Sequence, residues 1–139
     1  MQTEFSITTN GAGLYEFTHE VVRFVRTAEK KTGLLTLFVR HTSCSLLISE
    51  NADPDVILDM QDFFARLVPD ANAASMDWLR HTCEGADDMP AHIKAALTPV
   101  SLSIPIRGGR PMLGTWQGIY LFEHRMRSHH RQVMGHISP

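Results

Sequence analysis

The chain has 139 residues, the size of one compact domain rather than two. Its 13 lysines and arginines oppose 15 aspartates and glutamates, so the formal net charge is −2 with the 8 histidines counted neutral. This near-balance excludes a protein that holds nucleic acid or an anionic membrane mainly by bulk charge. The histidines stand out because histidine titrates near neutral pH and is the commonest metal ligand.

The composition also limits the cellular setting. A hydrophobic share of 43% and a charged share of 20% predict a packed core. No apolar run reaches the roughly 18 residues of a membrane span, and residues 1–13 lack the basic start and apolar stretch of a secretory signal. Cys44 and Cys83 are too few for a disulfide framework. We therefore expect a single domain over residues 1–139 in the cytoplasm.

Apolar periodicity predicts the elements of the first half of the chain. A strand over 2–9 leads through a turn at 10–13 to a helix with Thr18 as its N-cap. Residues at helical spacing form the apolar stripe of that helix: Val21, Phe24, Val25 and Ala28. A strand over 34–41 follows, with a second strand or a bent continuation in the LLIS segment.

A second helix is predicted to begin at Asp53 and Pro54 and to stop at Pro69, because aspartate caps helices and proline suits the first turn. Its apolar positions are expected to form a buried stripe: Val56, Ile57, Met60, Phe63, Phe64 and Leu67.

The second half begins with an irregular segment over 70–88, long enough to suggest function. A short helix then opens at Pro90 and closes at Pro99. The rest is strand-like, with a turn at Gly108 and Gly109. Consecutive strands with tight turns indicate antiparallel pairing. The chain therefore predicts an α+β domain, a mostly antiparallel β-sheet or sandwich with flanking helices.

Polar side chains gather in three segments: 41–53, 81–92 and 114–125. Imidazoles from separate elements suit zinc or another divalent transition metal with an open coordination position. The preferred trio is His41, His81 and His92, with His124 as a substitute. Buried, hydrogen-bonded structural histidines are the alternative.

The cysteines allow two further interpretations. Cys44 and Cys83, each near a histidine, form an unusual spacing for a Cys2His2 zinc site. Cys44 beside His41 is a possible thiolate nucleophile. The simpler interpretation is that each cysteine is a small core residue.

The charged residues keep alternatives open as well. Glu84, Asp87 and Asp88 either hold Mg²⁺ through a substrate's phosphates or cap the helix near Pro90. Arg107 offers a phosphate-binding cation beside a glycine turn. The basic run over 125–131 attracts a phosphorylated ligand or RNA, or is a solvated loop, and no RNA-recognition motif accompanies it.

Three long segments resemble the YjbQ family of small bacterial and archaeal proteins: HTSCSLLISENADPDVILDM, HTCEGADDMPAHIKAAL and GTWQGIYLFEHR. The resemblance implies a homotrimer of α+β subunits whose motif residues meet in a pocket close to subunit contacts. It also implies a secondary thiamine-phosphate synthase activity. Relatives commonly carry a small residue where this chain has Cys44, which favours the core interpretation of that cysteine.

The resulting hypothesis is a metal-assisted enzyme that joins a hydroxymethylpyrimidine diphosphate to a thiazole phosphate, as a side activity. The cations stabilise the leaving diphosphate, and an aromatic ring supports the heterocycle. We assign catalysis to Glu84, Asp88, His124 and Arg107, and substrate binding to Ser43, Asn51, Lys94, Trp116 and Gln117. The alternative is a non-catalytic trimer that binds a metal or a metabolite.

Overall fold

Eight strands and three helices form the fold in a computed structural model that describes all 139 residues. In chain order the elements are β1 (Gln2–Asn10), β2 (Gly13–Glu16), α1 (Thr18–Thr27), β3 (Thr32–Val39), β4 (Cys44–Glu50), α2 (Pro54–Leu67), α3 (Asp88–Leu97), β5 (Ser101–Arg107), β6 (Arg110–Pro111), β7 (Gln117–Glu123) and β8 (Ser128–Ser138). None of the helices is both long and apolar enough to cross a bilayer.

The strands form two sheets in which every pairing is antiparallel. One sheet has the order β1-β8-β3-β5-β6, and the other has the order β2-β7-β4. Side chains of both sheets and of α1 share one hydrophobic core, in which Val21, Val25, Leu35, Leu46 and Ile119 are fully buried. The predicted α+β class and the apolar stripe of α1 are therefore confirmed.

Two details at the start of α1 differ from the prediction. Residues 13–16 form β2, which pairs with β7, whereas the sequence predicted a turn over 10–13 and no strand before the helix. Thr18 is the first residue of α1 and not its N-cap. Its Oγ1 donates to Glu16 Oε2 at 2.6 Å and accepts from the Ile119 amide at 2.9 Å, so the hydroxyl links α1 to β7 instead of capping the helix.

The start of α2 is as predicted, but its buried stripe is wrong. Asp53 caps the helix, because its Oδ1 accepts from the Asp55 amide at 2.9 Å. No residue of α2 is buried, and Phe63 and Leu67 are 56% and 53% exposed. Phe64 packs edge-to-face on Phe122 of β7, with ring centroids 5.1 Å apart. Val56, Ile57 and Met60 are half-buried, so the stripe is only partly covered within one chain.

The remaining elements follow the prediction closely. Residues 70–87 are irregular apart from a 3-10 turn at Ala74–Met76, and α3 begins at Asp88, two residues before Pro90. Gly108 and Gly109 have φ values of +60° and +73° and connect β5 to β6. Two successive positive φ values characterise a type I′ hairpin turn, which glycine adopts without strain.

A buried ion pair joins the two sheets. Glu123 of β7 and Arg131 of β8 are 0% and 4% exposed. Arg131 donates from Nε and Nη2 to both carboxylate oxygens, and its Nη2 also donates to Ser43 Oγ at 2.9 Å. Thr9 of β1 donates to Glu123 Oε2 at 2.7 Å. The pair therefore connects β1, β7, β8 and the start of β4.

Arg131→Met is expected to lower the free energy of unfolding by about 3–5 kcal/mol, because it leaves the Glu123 carboxylate buried without its partner. Arg40→Met is the matched control, since Arg40 pairs with Glu4 at 3.6 Å on the surface. That substitution is expected to cost about 1 kcal/mol or less. Urea unfolding of both variants checks the difference, and equal costs would contradict this role for the buried pair.

Candidate metal centre

One histidine of the irregular segment meets one face of α3. Ligand atoms of His81, Asp88 and His92 all lie within 4.8 Å of one another. We call these three residues the His–Asp–His group. Asp88 and His92 are four residues apart in α3 and so share a helix face. The Asp88 side chain is buried, whereas those of His81 and His92 are 42% and 31% exposed, so the group opens to solvent on one side.

A backbone carbonyl fixes the tautomer of His92. Its Nδ1 lies 2.9 Å from the carbonyl oxygen of Thr42, which can only accept, so Nδ1 carries the proton. In the neutral ring Nε2 then presents a lone pair, and this atom lies 3.3 Å from Asp88 Oδ2. Two acceptors facing each other require a proton or a cation between them. A carbonyl that orients the distal nitrogen is a common second partner of metal-binding histidines.

His81 brings a second imidazole to the same carboxylate. Its Nε2 lies 2.8 Å from both Asp88 Oδ2 and Glu84 Oε2. The hydrogen bond with Asp88, followed by that with Glu84, raises the pKa of His81. One ring nitrogen thus faces two acidic oxygens, which is an environment that favours positive charge.

Arg125 forms ion pairs with Asp87 and with Asp88 of the His–Asp–His group. Its guanidinium donates from Nε to Asp87 Oδ2 at 3.0 Å and from Nη1 to Asp88 Oδ1. Although burial alone would raise the pKa of Asp88, the hydrogen bond from His81 and the charge of Arg125 hold that pKa below its ordinary value. Asp87 also accepts from the Met126 amide and makes no cap bond to α3. The capping interpretation is therefore wrong for Asp87, and Arg125 is not part of a solvated basic run.

The structure does not bring His41 into this group. Its Nε2 accepts a hydrogen bond from the Gln132 amide of β8 at 2.9 Å. Partial burial and the nearby charge of Arg131 lower the pKa of His41. The lone pair with which His41 would bind a metal therefore points to the five-stranded sheet. Asp88, and not His41, is the third residue of the His–Asp–His group.

His124 and Lys94 lie in a different place. His124 is 3% exposed, and its Nε2 lies 2.9 Å from Ser45 Oγ. His92 and Lys94 are two residues apart in α3, so their side chains project about 200° apart around the helix. They lie on opposite flanks of the helix face that buries Ala91 and Ala95. The predicted site is thus divided between two sides of α3.

The other predicted site residues make no hydrogen bond or ion pair with the His–Asp–His group. Ser43 belongs to the buried ion pair, and Asn51 donates to Glu16 Oε2 at 3.3 Å. Gln117 accepts from the Gly114 amide at 2.7 Å, and Trp116 before β7 is 62% exposed. Arg107 is exposed at the end of β5 beside the hairpin turn. Their functional roles stay predictions.

The cysteines do not support the thiol-based interpretations. Cys44 is fully buried in the core, and burial raises the pKa of its thiol to about 12, which opposes a thiolate nucleophile at neutral pH. Cys83 is exposed, and neither cysteine belongs to the His–Asp–His group. A Cys2His2 zinc site is therefore wrong for this fold.

Comparisons with known proteins cover nearly the whole chain. The family profile described as "UPF0047 protein YjbQ-like" matches residues 3–138. The chain belongs to the YjbQ (UPF0047) family. It is 53% identical to a UPF0047 protein of Synechocystis over 132 residues, which cover 95% of this chain and 87% of that protein. It is 40% identical to the YjbQ protein of Escherichia coli O157:H7 over 134 residues, 96% of this chain and 94% of that one.

Solved structures of similar proteins share the fold. A YjbQ/UPF0047 protein of Clostridium acetobutylicum superposes with a TM-score of 0.86 at 33% identity, covering 98% of this chain and 99% of that chain. A protein of Aeropyrum pernix superposes with a TM-score of 0.86 at 25% identity, covering 99% and 98%. The α+β architecture described above is therefore that of the YjbQ family.

The stability of the protein is expected to fall as the pH drops below 6.5, because burial and the charge of Lys94 lower the pKa of His124 from 6.5 to about 3. Unfolding frees His124 to bind a proton, so acid favours the unfolded chain between those two values. Near pH 5, the free energy of unfolding of the wild type should fall more steeply than that of His124→Gln. The two slopes should differ by on the order of 1 kcal/mol per pH unit.

The measurement is urea unfolding at a series of pH values. The exposed His136→Gln is the control and should keep the wild-type slope. Identical slopes for the wild type and His124→Gln would show that His124 is not held neutral by the fold.

Proposed function

We propose that the protein is a metal-assisted enzyme that acts on a small phosphorylated or heterocyclic metabolite, with a divalent ion held by the His–Asp–His group. The observation that carries this proposal is the pair of acceptors at 3.3 Å, His92 Nε2 and Asp88 Oδ2. The Thr42 carbonyl holds the proton on the far side of the His92 ring. A cation between the two atoms turns this repulsive contact into a stabilising one.

The residue types fit zinc or another transition metal. Two imidazoles and one carboxylate are a ligand set of catalytic zinc sites, which leave a fourth position for water or substrate. Ligand atoms about 2.1 Å from one ion stand about 3.4 Å apart, so modest side-chain rotations adapt the group to an ion. Mg²⁺ prefers oxygen ligands, so its place would be with Glu84, Asp88 and a substrate phosphate.

The surrounding residues have separate tasks in this proposal. A bound ion polarises a phosphate oxygen or acidifies a water molecule. Arg125 keeps Asp88 ionised and oriented through its hydrogen bond to Oδ1. Glu84 is 62% exposed, within hydrogen-bond distance of His81, and is placed to accept or donate a proton at the open side. Arg107 has no contact with the group within one chain, so its catalytic role would require another subunit.

The reaction that we propose to assay first follows from the family resemblance. In thiamine-phosphate synthesis the thiazole nitrogen attacks the methylene carbon of the pyrimidine diphosphate, and diphosphate leaves with the bonding electrons. A cation at the His–Asp–His group is suited to the negative charge that develops on the leaving diphosphate. We propose this reaction as a secondary activity, with the physiological substrate belonging to the same chemical class.

We also propose a homotrimer in the cytoplasm. The exposed apolar stripe of α2 supports an assembly, because Phe63 and Leu67, two residues of that stripe, are each more than half exposed in the single chain. The free thiols of Cys44 and Cys83 are consistent with a reducing compartment.

The wild type is expected to bind one Zn²⁺ per chain, and His81→Gln and His92→Gln each to weaken binding at least tenfold, since each removes one of three ligands. Calorimetric titration of the apoprotein with Zn²⁺ measures the affinity. The control is His130→Gln, an exposed histidine of β8 that lies beside Thr8 of the edge strand β1. No binding by the wild type, or equal affinities in all variants, would contradict the metal centre.

The same variants separate an enzyme from a binding protein. Turnover of the two thiamine precursors is measured with wild type, with chelator-treated wild type and with His92→Gln. We expect the rate to fall about 100-fold in the last two. Zinc binding without turnover would favour the non-catalytic alternative, and equal rates would exclude the metal mechanism.

Phe63→Glu is expected to convert the trimer to monomers, because it places a charge in the apolar stripe of α2 that we propose as the contact. Met112→Glu is the matched control, since Met112 is 48% exposed and lies directly after β6, outside the apolar stripe of α2. Sedimentation velocity measures the mass. A monomeric wild type, or an assembly unchanged by Phe63→Glu, would contradict the proposal.

A further inference from the structure

A second site lies on the other flank of α3. A cavity of about 300 Å³ opens between α2, α3 and the end of β7. We call it the Lys94 cavity, and its lining includes Phe64, Val68, Lys94, Phe122, His124 and Met126. Its volume is at the lower end of small-molecule pockets, which corresponds to a ligand with one ring.

The ammonium of Lys94 has no partner in this cavity. It makes no hydrogen bond and no ion pair within 4.0 Å, and its Nζ is open to solvent in the cavity, since every side-chain nitrogen and oxygen closed off from solvent is paired. Burial lowers the pKa of Lys94, and the charges of Asp70 and Asp87 oppose this effect only in part. Asp70 also lines the cavity, but no carboxylate oxygen lies within 4.0 Å of Lys94 Nζ, so an anion in the cavity would supply the direct ion pair that Lys94 lacks.

A chain of hydrogen bonds assigns the tautomer of His124. Thr98 Oγ1 lies 2.8 Å from the Lys94 carbonyl, which can only accept, so the hydroxyl proton of Thr98 serves that bond. Ser45 Oγ, 2.6 Å from Thr98 Oγ1, then donates its own proton to Thr98. Ser45 must therefore accept from the Nε2–H of His124 at 2.9 Å.

The consequence is an unpaired acceptor on the wall of the cavity. With the proton on Nε2, Nδ1 of His124 presents a lone pair, and no group of the protein hydrogen-bonds to it. His124 is 3% exposed and lines the Lys94 cavity, and its Nδ1 is open to that cavity, since no side-chain nitrogen closed off from solvent lacks a partner. Such an acceptor takes a hydrogen bond from a ligand at little cost in desolvation.

The apolar side chains that line the cavity indicate which kind of ligand skeleton it can hold. Phe64 and Phe122 meet edge-to-face at 5.1 Å, and Phe122 lies 4.4 Å from the His124 ring. Val68 and Met126 complete this wall. Aromatic walls of this kind favour a flat ring that packs against them by stacking or edge contacts.

We propose that the Lys94 cavity binds a small aromatic anion that also carries a hydroxyl or N–H donor. The anion pairs with Lys94 Nζ, the donor bonds to His124 Nδ1, and the ring lies against Phe64 and Phe122. The site is independent of the metal centre, because it uses the opposite flank of α3 and none of the metal ligands.

The test is an NMR titration of the metal-free full chain with 4-hydroxybenzoate, which has both an anion and a donor. Benzoate lacks the donor, and phenol lacks the anion. We expect saturable shifts at Phe64 and Phe122, with binding about tenfold weaker for each of the two simpler probes. Lys94→Met should weaken 4-hydroxybenzoate binding at least tenfold, whereas the exposed Lys31→Met should leave it unchanged.

Two further measurements distinguish binding in the Lys94 cavity from metal binding and from a loss of folding. His92→Gln should bind 4-hydroxybenzoate like the wild type, even if the metal centre fails its own test. The ¹⁵N shifts of His124 should show a neutral ring with the proton on Nε2. No saturable binding, equal binding of all three probes, shifts away from the cavity, or a proton on Nδ1 would overturn the proposal.

Discussion

The carboxylate of Glu123 holds the parts of this molecule together. It is fully buried and accepts hydrogen bonds from Arg131 and Thr9, which join the two sheets. It also accepts from the backbone amides of His124 and Arg125 at 3.1 Å each. These bonds fix the backbone directly after β7. His124 there faces the Lys94 cavity, and Arg125 pairs with Asp87 and Asp88. Both sites depend on the position of this one buried charge.

Helix α3 divides the functional surface in two. Asp88 and His92 lie on one flank and meet His81, while Lys94 on the other flank lines a cavity with His124. The helix is anchored by small buried residues, Ala91 and Ala95, so polar side chains on both flanks stay close to the strands. The histidines that stand out in the composition therefore have different environments. His81 and His92 belong to a group suited to a cation, whereas burial holds His124 neutral.

Local patterns predicted the local structure well. The spacing of Val21 and Val25 predicted the core face of α1, and Asp53 was correctly predicted as the cap of α2. The stripe of α2 failed because periodicity reports which face is apolar and not what covers that face. The four residues of β2 were too few for a period to be recognised.

The site was predicted only in part, because its decisive contacts join distant parts of the chain. His81 and His92 were expected together, but His41 turns to the Gln132 amide, and no spacing indicates that orientation. Arg125 pairs with Asp87 and Asp88, which lie 38 and 37 residues earlier in the chain. The sequence pattern had grouped Arg125 with the basic run over 125–131. The i, i+4 spacing of Asp88 and His92 at the start of the predicted helix was the available signal, because it places both side chains on one helix face.

The measurement that tests the central claim most directly is anomalous scattering at the zinc absorption edge, on crystals of protein incubated with Zn²⁺. We predict an anomalous peak within about 2.0–2.2 Å of His81 Nε2, an Asp88 carboxylate oxygen and His92 Nε2. The His92 Nδ1 bond to the Thr42 carbonyl should be retained. No peak at this group, with the His92 and Asp88 side chains still in contact, would contradict the account.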